Sequence, residues 1–375
     1  MEILDQFFID RNSAEKTQQH YRASVKLYEQ CTGKKLAELL EEADAEEEAG
    51  IRWKKRRIKS YLISYRNYLY ANKSEGTAKQ YLTDIKTIYK HFEIELQDLP
   101  VFASKQIDKT YEVKYEDILT KDELVDAYHE ANNVVKCIIL FASSSGLSKV
   151  DLLKLTVGDF IEACNCKNEG LVKQLFEIKS HRKLVPCFIG ERQKTRKSFT
   201  TFCSPEATRH IVQYLLGRNA QLVAENDCLK YDDTLFEISD SHLSYTLRQI
   251  NNKLGLGRVG KSTKFKCHAL RKYQATVLLN IEDGFTIQEI DKLQGRSQDQ
   301  THRAYFHNDK ETLYKKYLRC VDELMLFDSI EAIDKVEYEN LKIENEKYSR
   351  QLEDQQETIE KILQNQRELE AILGL

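Results

Sequence analysis

The chain has 375 residues, 41% of them apolar and 31% charged, and its formal net charge is −3. This length allows more than one hydrophobic core, so two domains and an appendage are expected rather than a single module. No apolar run approaches the roughly 18 residues of a membrane-spanning helix, and only 3 prolines are present, which favours a mainly helical protein.

The negative charge is concentrated in one part of the chain. Residues 329–375 hold 12 acidic and 6 basic side chains, a net of −6, so residues 1–328 carry a net of +3. The larger part is therefore basic, and a nucleic-acid partner is not excluded by the overall charge.

The cysteines number 9 and are scattered, without a C-x-x-C pair. No signal peptide is recognised, so the pattern predicts reduced thiols in a cytoplasmic protein. Cys164 and Cys166 have poor spacing for zinc, and no metal site is predicted.

Residues 1 to about 95 have helical periodicity, and Thr77 and Tyr81 repeat the local pattern of Thr17 and Tyr21. Two helical hairpins are therefore expected.

A basic segment lies inside this helical part. Residues 51–73 contain 8 basic side chains and no acidic one, directly after the acidic run 38–48. Such a segment is either a solvated helix face or a surface that contacts phosphates. The candidate DNA-binding residues are Arg52, Lys54, Lys55, Arg56, Arg57 and Lys59.

The next part of the chain changes character three times. Polar residues around 101–117 predict an interdomain linker. Thr120 and Glu123 then form a capping box that begins a helix, and the apolar run 134–142 predicts a buried helix. Short β-rich runs within 173–203 predict a small three-stranded antiparallel sheet.

A group of polar residues follows near the end of this second part. His268 and Arg271 are three positions apart, Gly295-Arg296 follow, and Tyr305 comes nine positions after Arg296. This order and spacing resembles the catalytic end of the tyrosine recombinases, the phage-integrase and Xer family.

An earlier segment resembles the first catalytic box of this family, Gly-Leu-Arg-x-x-Glu-Leu, but with one departure. Gly146-Leu147 is followed by Ser148, so the arginine is absent from its usual position. Archaeal members accept a basic residue at the shifted position, which makes Lys149 the candidate. The alternative is that Lys149 is an ordinary exposed helix lysine.

The family also uses a lysine in a β-hairpin turn. Lys194 in the turn GERQKTRK matches it, while the neighbouring bases Arg192, Arg196 and Lys197 are alternatives. An ordinary solvated turn is the other reading of the same segment.

The resemblance implies a role for each candidate. Tyr305 would attack the scissile phosphate, and Arg271 with the Lys149 region would stabilise the pentacoordinate phosphorus. His268 would manage the proton of the tyrosine, and Lys194 would protonate the departing oxygen. The resemblance implies no requirement for a metal ion or ATP, so no cofactor is expected.

Arg296 stands where family members usually have His or Trp. Its guanidinium still donates hydrogen bonds to a phosphate, but it does not titrate near neutral pH. His302, three residues before Tyr305, is a speculative replacement.

The tail from residue 330 carries heptads that predict a coiled coil and self-association. A helix that packs on its own domain is the alternative.

Together these features predict a mainly α protein with a small antiparallel β-sheet, an α+β fold. The resemblance implies that residues 1–100 form a helical core-binding domain and residues 118–328 the catalytic domain. Residues 101–117 would be a linker and residues 329–375 the coiled-coil tail.

The resemblance implies a site-specific recombinase or integrase of a mobile element. It would act on double-stranded DNA as a homo-oligomer, a tetramer on DNA. The alternatives are a catalytically impaired DNA-binding relative, because Ser148 and Arg296 depart from the family pattern, and a coiled-coil scaffold with recombinase-like domains.

Overall fold

The computed structural model describes residues 3–102, 111, 114–192, 194, 196–296 and 310–327. The chain forms two compact units, Met1–Glu112 and Val113–Leu375, and the described residues of each unit enclose a hydrophobic core of their own.

The first unit is helical. Its helices are α1 (Ile3–Asp10), α2 (Glu15–Thr32), α3 (Leu36–Glu48), α4 (Arg57–Asn72) and α5 (Glu75–His91), with a 3-10 turn at Trp53–Lys55.

Tyrosines fill much of the core between α2, α4 and α5, which pack against one another. The hydroxyls of Tyr28 and Tyr89 lie 3.1 Å apart, and the hydroxyl of Tyr65 donates to the carbonyl oxygen of Ser24 at 3.0 Å. Beside them, Asp84 is 1% exposed and accepts a hydrogen bond from the Ser24 hydroxyl at 2.6 Å. Each buried hydroxyl thus has a partner, which removes the penalty of burying it.

The second unit contains helices and two short antiparallel hairpins. The helices are α6 (Lys121–Glu130), α7 (Asn133–Ser145), α8 (Lys149–Leu152), α9 (Val157–Cys164), α10 (Leu171–Ser180), α11 (Pro205–Ala224), α12 (Asp240–Lys253), α13 (Cys267–Asn280), α14 (Ile287–Leu293) and α15 (Lys310–Leu324). The strands are β1 (Cys187–Glu191), which pairs with β2 (Ser198–Phe202), and β3 (Arg258–Val259), which pairs with β4 (Ser262–Thr263).

Helix α7 is the centre of the second unit, where α11 and α13 pack against it. Its apolar side chains from Val135 to Ala142 are buried, and the amide oxygen of Asn132 caps its first turn. The prediction of a buried helix over 134–142 is therefore confirmed. The predicted capping box of Thr120 and Glu123 is also present and begins α6.

The prediction of a three-stranded sheet within 173–203 was wrong. The first expected strand belongs to α10, and only β1 and β2 pair in the described part of this segment. Leu171, Leu175 and Ile178 are buried on one face of α10. Their spacing matches the 3.6-residue period of a helix. The stretch is short enough that its apolar residues also fit the two-residue period of a strand, so the sequence pattern did not separate a helix from a strand.

The prediction of a mainly α fold with a small antiparallel β component is confirmed. Among the described helices, none is both long and apolar enough to cross a membrane. The predicted coiled coil at 329–375 lies outside the described residues.

Candidate active site

Arg271 joins two turns of the second unit. It lies on α13 and is only 3% exposed. Its Nη1 donates to the carbonyl oxygen of Gly146 at 2.8 Å, and its Nη2 donates to that of Gln294 at 2.7 Å. The guanidinium is thereby fixed between the turn after α7 and the turn after α14.

Gly146 is required at the first of these turns. Its φ is +66°, which side chains rarely adopt, and an added Cβ would lie 2.4 Å from Oε1 of Gln274. Gln274 in turn accepts a hydrogen bond from Nε2 of Gln294 at 2.7 Å. This buried amide pair supports the turns that hold Arg271.

A cleft of about 770 Å³ opens above Arg271. Four of the six predicted catalytic residues border it: Lys149, His268, Arg271 and Arg296. Further basic side chains border the same cleft: Arg192, Arg248, Lys266 and Lys272.

The sequence offers Arg192 only as an alternative to Lys194, but the structure places Arg192 at the wall of the cleft. Its Nη1 is 3.5 Å from the carbonyl oxygen of Gly295, and its Nε is 3.8 Å from Oδ2 of Asp151. It follows β1 directly, so the hairpin places its side chain beside α14. The sequence contains only one indication that Arg192 belongs to the site, namely the high density of basic residues in this turn.

Positive charge exceeds negative charge among these groups. Burial, and then the charges of Arg296 and Arg192, lower the pKa of Arg271. Burial also lowers the pKa of Arg296, although Asp291, 3.9 Å away, favours its charge. Because like charges in a cleft repel one another, this arrangement favours a bound anion.

His268 borders the cleft one turn before Arg271. Its pKa lies below the usual 6.5, because the cleft walls desolvate the ring and nearby cations, Lys272 first, oppose its protonation. The imidazole is therefore mostly neutral at pH 7 and is able to accept a proton.

The two predicted catalytic lysines are placed differently from each other. Nζ of Lys149 donates to Asp240 and, at 2.9 Å, to the hydroxyl of Ser244, so its charge is partly engaged by α12. Lys194 is exposed in the turn between β1 and β2 and is not among the described residues that border the cleft.

Tyr305 and His302 lie outside the described residues.

The basic segment of the first unit divides into two groups. Arg56 pairs with Glu47 at 2.9 Å, and Arg57 pairs with Glu42 and Glu46 of α3. The acidic run therefore neutralises part of the basic one. The most exposed of the remaining bases are Arg52, Lys54 and Lys55, and Lys59 is half-buried.

The chemistry available in the described site is that of cations and a neutral imidazole. Within the ranges that the structure describes, no three His, Cys, Asp or Glu side chains are arranged to hold a metal ion.

Comparison with known proteins assigns the fold to a family. A family model for the phage integrase family matches residues 117–312, more than half of the chain. No curated protein matched significantly.

Three solved structures illustrate the similarity. The Tn1549 transposon integrase in complex with transposon right end DNA is 12% identical, with a TM-score of 0.48, and the alignment covers 85% of this chain and 98% of that one. A lambda integrase dimer bound to a COC′ core site is 16% identical, with a TM-score of 0.46 and coverages of 81% and 93%. The XerA recombinase is 17% identical, with a TM-score of 0.33 and coverages of 84% and 96%.

Proposed function

This chain belongs to the phage integrase family of tyrosine recombinases, and we propose that it is a site-specific DNA recombinase that cuts and rejoins strands through a 3′-phosphotyrosine intermediate. The observation that carries the proposal is the gathering of Arg271, Arg296, Arg192 and His268 around one cleft. Their surplus of positive charge suits the phosphate of a DNA strand.

In the proposed reaction, the phenolic oxygen of Tyr305 attacks the scissile phosphorus and the bond to the 5′-oxygen breaks. The 3′ end of the strand stays attached as a phosphotyrosine, which retains the bond energy for rejoining. His268 takes the phenolic proton, and Lys194 gives a proton to the departing 5′-oxygen. The reverse steps, with a new 5′-hydroxyl, rejoin the strand.

The arginines are proposed to act on the phosphate itself. Arg271 is held by two backbone carbonyls, so it is already oriented before DNA arrives and loses little freedom on binding. Arg296 and Lys149 line the same cleft. Guanidinium donors preorganised in this way stabilise the charge that builds on the non-bridging oxygens, and each arginine contributes about 10²- to 10³-fold in rate.

For the rest of the chain we propose that residues 1–100 clamp DNA and that the protein acts as a tetramer on double-stranded DNA, for the integration or excision of a mobile element. The exposed Arg52, Lys54 and Lys55 would contact phosphates. The tail at 329–375 is proposed to self-associate through its heptads.

The test is to capture a covalent adduct. The purified chain of 375 residues is incubated with a pool of duplexes that carry a nick beside a randomised segment. A nick just 3′ of the attacked phosphate lets the short 5′-hydroxyl fragment diffuse away, so the adduct accumulates. DNA that stays with the denatured protein is sequenced, and its 3′ linkage to tyrosine is determined after proteolysis.

Two tyrosine variants make the result specific. Tyr305→Phe should yield no adduct, whereas Tyr314→Phe, which removes a phenol on α15, should yield as much as the natural sequence. Retention of DNA under native conditions without any adduct would instead support the alternative, a catalytically impaired DNA-binding protein that Ser148 and Arg296 suggest. Absence of both would reject a role on DNA.

A further inference from the structure

Ser148 stands where the family pattern has an arginine, so the cleft lacks that guanidinium. The structure shows which other groups lie near Ser148. The hydroxyl of Ser148 donates to Oδ2 of Asp151 at 2.6 Å. Nε of Arg192, which follows β1 in the β1–β2 hairpin, approaches the same oxygen atom at 3.8 Å. One carboxylate oxygen therefore has Ser148 and the guanidinium of Arg192 as common neighbours.

Arg192 and Arg271 reach the same turn of the backbone. The two side chains approach consecutive carbonyl oxygens, those of Gly295 and Gln294. Consecutive residues are about 3.8 Å apart, so the two guanidinium groups border the same turn after α14. The positive charge of Arg192 contributes to the lowered pKa values of Arg271 and Arg296, which is consistent with this proximity.

The hydrogen-bonding groups of Arg192 are poorly used within the described part of the protein. Its Nε is buried there without a hydrogen-bond partner, and its distances to Gly295 and Asp151 are long. A guanidinium carries five N–H donors, so these two long contacts leave donors of Arg192 available. Arg192 borders the cleft, and an anion in the cleft is able to accept from them.

Lys149 is less suited to the same task. Its ammonium is already bonded to the Asp240 carboxylate and the Ser244 hydroxyl. These two bonds hold the ammonium group against α12, and the carboxylate of Asp240 offsets its charge.

From this geometry we infer that Arg192, supplied by the β1–β2 hairpin, is the second guanidinium that clamps the scissile phosphate together with Arg271, in place of the arginine absent at Ser148. It would donate to a non-bridging oxygen and offset the charge that builds there during attack. Asp151 would orient it. This inference rests on the proposed function.

The experiment measures the single-turnover rate of covalent adduct formation on a nicked duplex recovered by the capture described above. Arg192→Ala should lower the rate by about 10²- to 10³-fold. Adding Ser148→Arg to that variant should recover at least about tenfold, because it returns a guanidinium to the same carboxylate and cleft. Lys149→Ala should lower the rate less than Arg192→Ala.

A substrate with a methylphosphonate at the scissile position supplies a readout that a purely structural role would not change. The methyl group replaces a charged oxygen, so less negative charge builds up and the clamp matters less. The decrease caused by Arg192→Ala should shrink to a few-fold on this substrate. For each variant, the rates on the phosphate and on the methylphosphonate substrate are measured with the same protein preparation. A partly unfolded fraction then lowers both rates equally and leaves their ratio unchanged.

Lys183→Gln is the control. It removes an exposed cation from the segment before β1, outside the residues that border the cleft, and its rate should stay within about threefold of the natural sequence.

The inference is overturned if Arg192→Ala cleaves as fast as the natural protein. It is equally overturned if the decrease is the same on both substrates and Ser148→Arg restores nothing. Absence of an adduct with the natural protein would remove the proposed function and this inference together, so the two failures are distinguishable.

Discussion

Arg271 and Gly146 lie 125 positions apart in sequence, yet Nη1 of Arg271 donates a 2.8 Å hydrogen bond to the carbonyl oxygen of Gly146. The turn that ends α7 thus holds the side chain expected to bind phosphate. A change at this turn should affect both the stability of the second unit and the orientation of the guanidinium.

Gly146→Ala should therefore be destabilising. The positive φ costs about 1–2 kcal/mol, and the added Cβ would overlap Gln274, which adds roughly 1–3 kcal/mol. Urea unfolding followed by circular dichroism measures the change. Gly255→Ala is the control, because Gly255 has a φ of +64° and nothing within 4 Å of the added carbon. Equal destabilisation in both variants would show that the overlap with Gln274 is irrelevant.

The pH dependence of adduct formation should reflect His268. Because its pKa is lowered from 6.5, more acid is needed to protonate it than an ordinary histidine requires. The rate should be constant near neutral pH and should fall only below about pH 6.5. His268→Gln should lower the rate by about 10²- to 10⁴-fold and should abolish this acid limb. An unchanged limb in the variant would assign the titration to another group.

An ion pair between a buried carboxylate and a half-buried lysine connects α14 to α15. Nζ of Lys316 lies 2.8 Å from Oε2 of Glu289. Burial by itself would raise the pKa of Glu289, but hydrogen bonds from Lys316 and Thr286 outweigh it and lower that pKa below 4.5. A carboxyl group with a lowered folded-state pKa stabilises the fold above its unfolded-state pKa, and this contribution disappears as the pH falls through the folded value.

Glu289→Gln should consequently reduce the free energy of unfolding by roughly 1.5–3 kcal/mol at pH 7. The difference from the natural protein should narrow as the pH falls below 4.5 and through the lowered folded-state pKa of Glu289, because the carboxyl group then becomes protonated in both states. Glu311→Gln, which alters an exposed pair with Lys315 on α15, should leave the unfolding midpoint unchanged. A difference for Glu289→Gln that is independent of pH would contradict the role of the charge.

The exposed bases of the first unit should determine the salt dependence of DNA binding. Lys54→Ala combined with Lys55→Ala should reduce the slope of log affinity against log salt by about 0.9 for each phosphate that the variant no longer neutralises. Lys79→Ala with Lys90→Ala removes the same charge from α5 and should change the slope less. Identical slopes for both double variants would indicate a contribution from net charge alone.

Arg56→Ala should behave differently from the lysine variants, because Arg56 bonds Glu47 and the carbonyl oxygen of Ile51. It should lower the unfolding midpoint of the first unit. Trp53 is the only tryptophan in the chain, so its fluorescence follows that unit specifically. An unchanged midpoint would show that these two bonds do not stabilise the unit.

The sequence by itself determined those features that depend on neighbouring residues. Thr120 and Glu123 are three positions apart, so their capping box was predictable, as was the buried helix α7 from its apolar run. The spacing of His268 and Arg271 likewise placed both on one helix, because residues three apart share a face.

Only the tertiary structure decided which distant groups meet. The period of α10 was ambiguous over so few residues, and packing of Leu171, Leu175 and Ile178 resolved it as a helix. Arg192 and Asp151 belong to separate elements, and no local pattern joins them. Their approach depends on how the β1–β2 hairpin, α8 and α14 pack in three dimensions, because long-range proximity is set by the burial of whole faces and not by adjacent side chains.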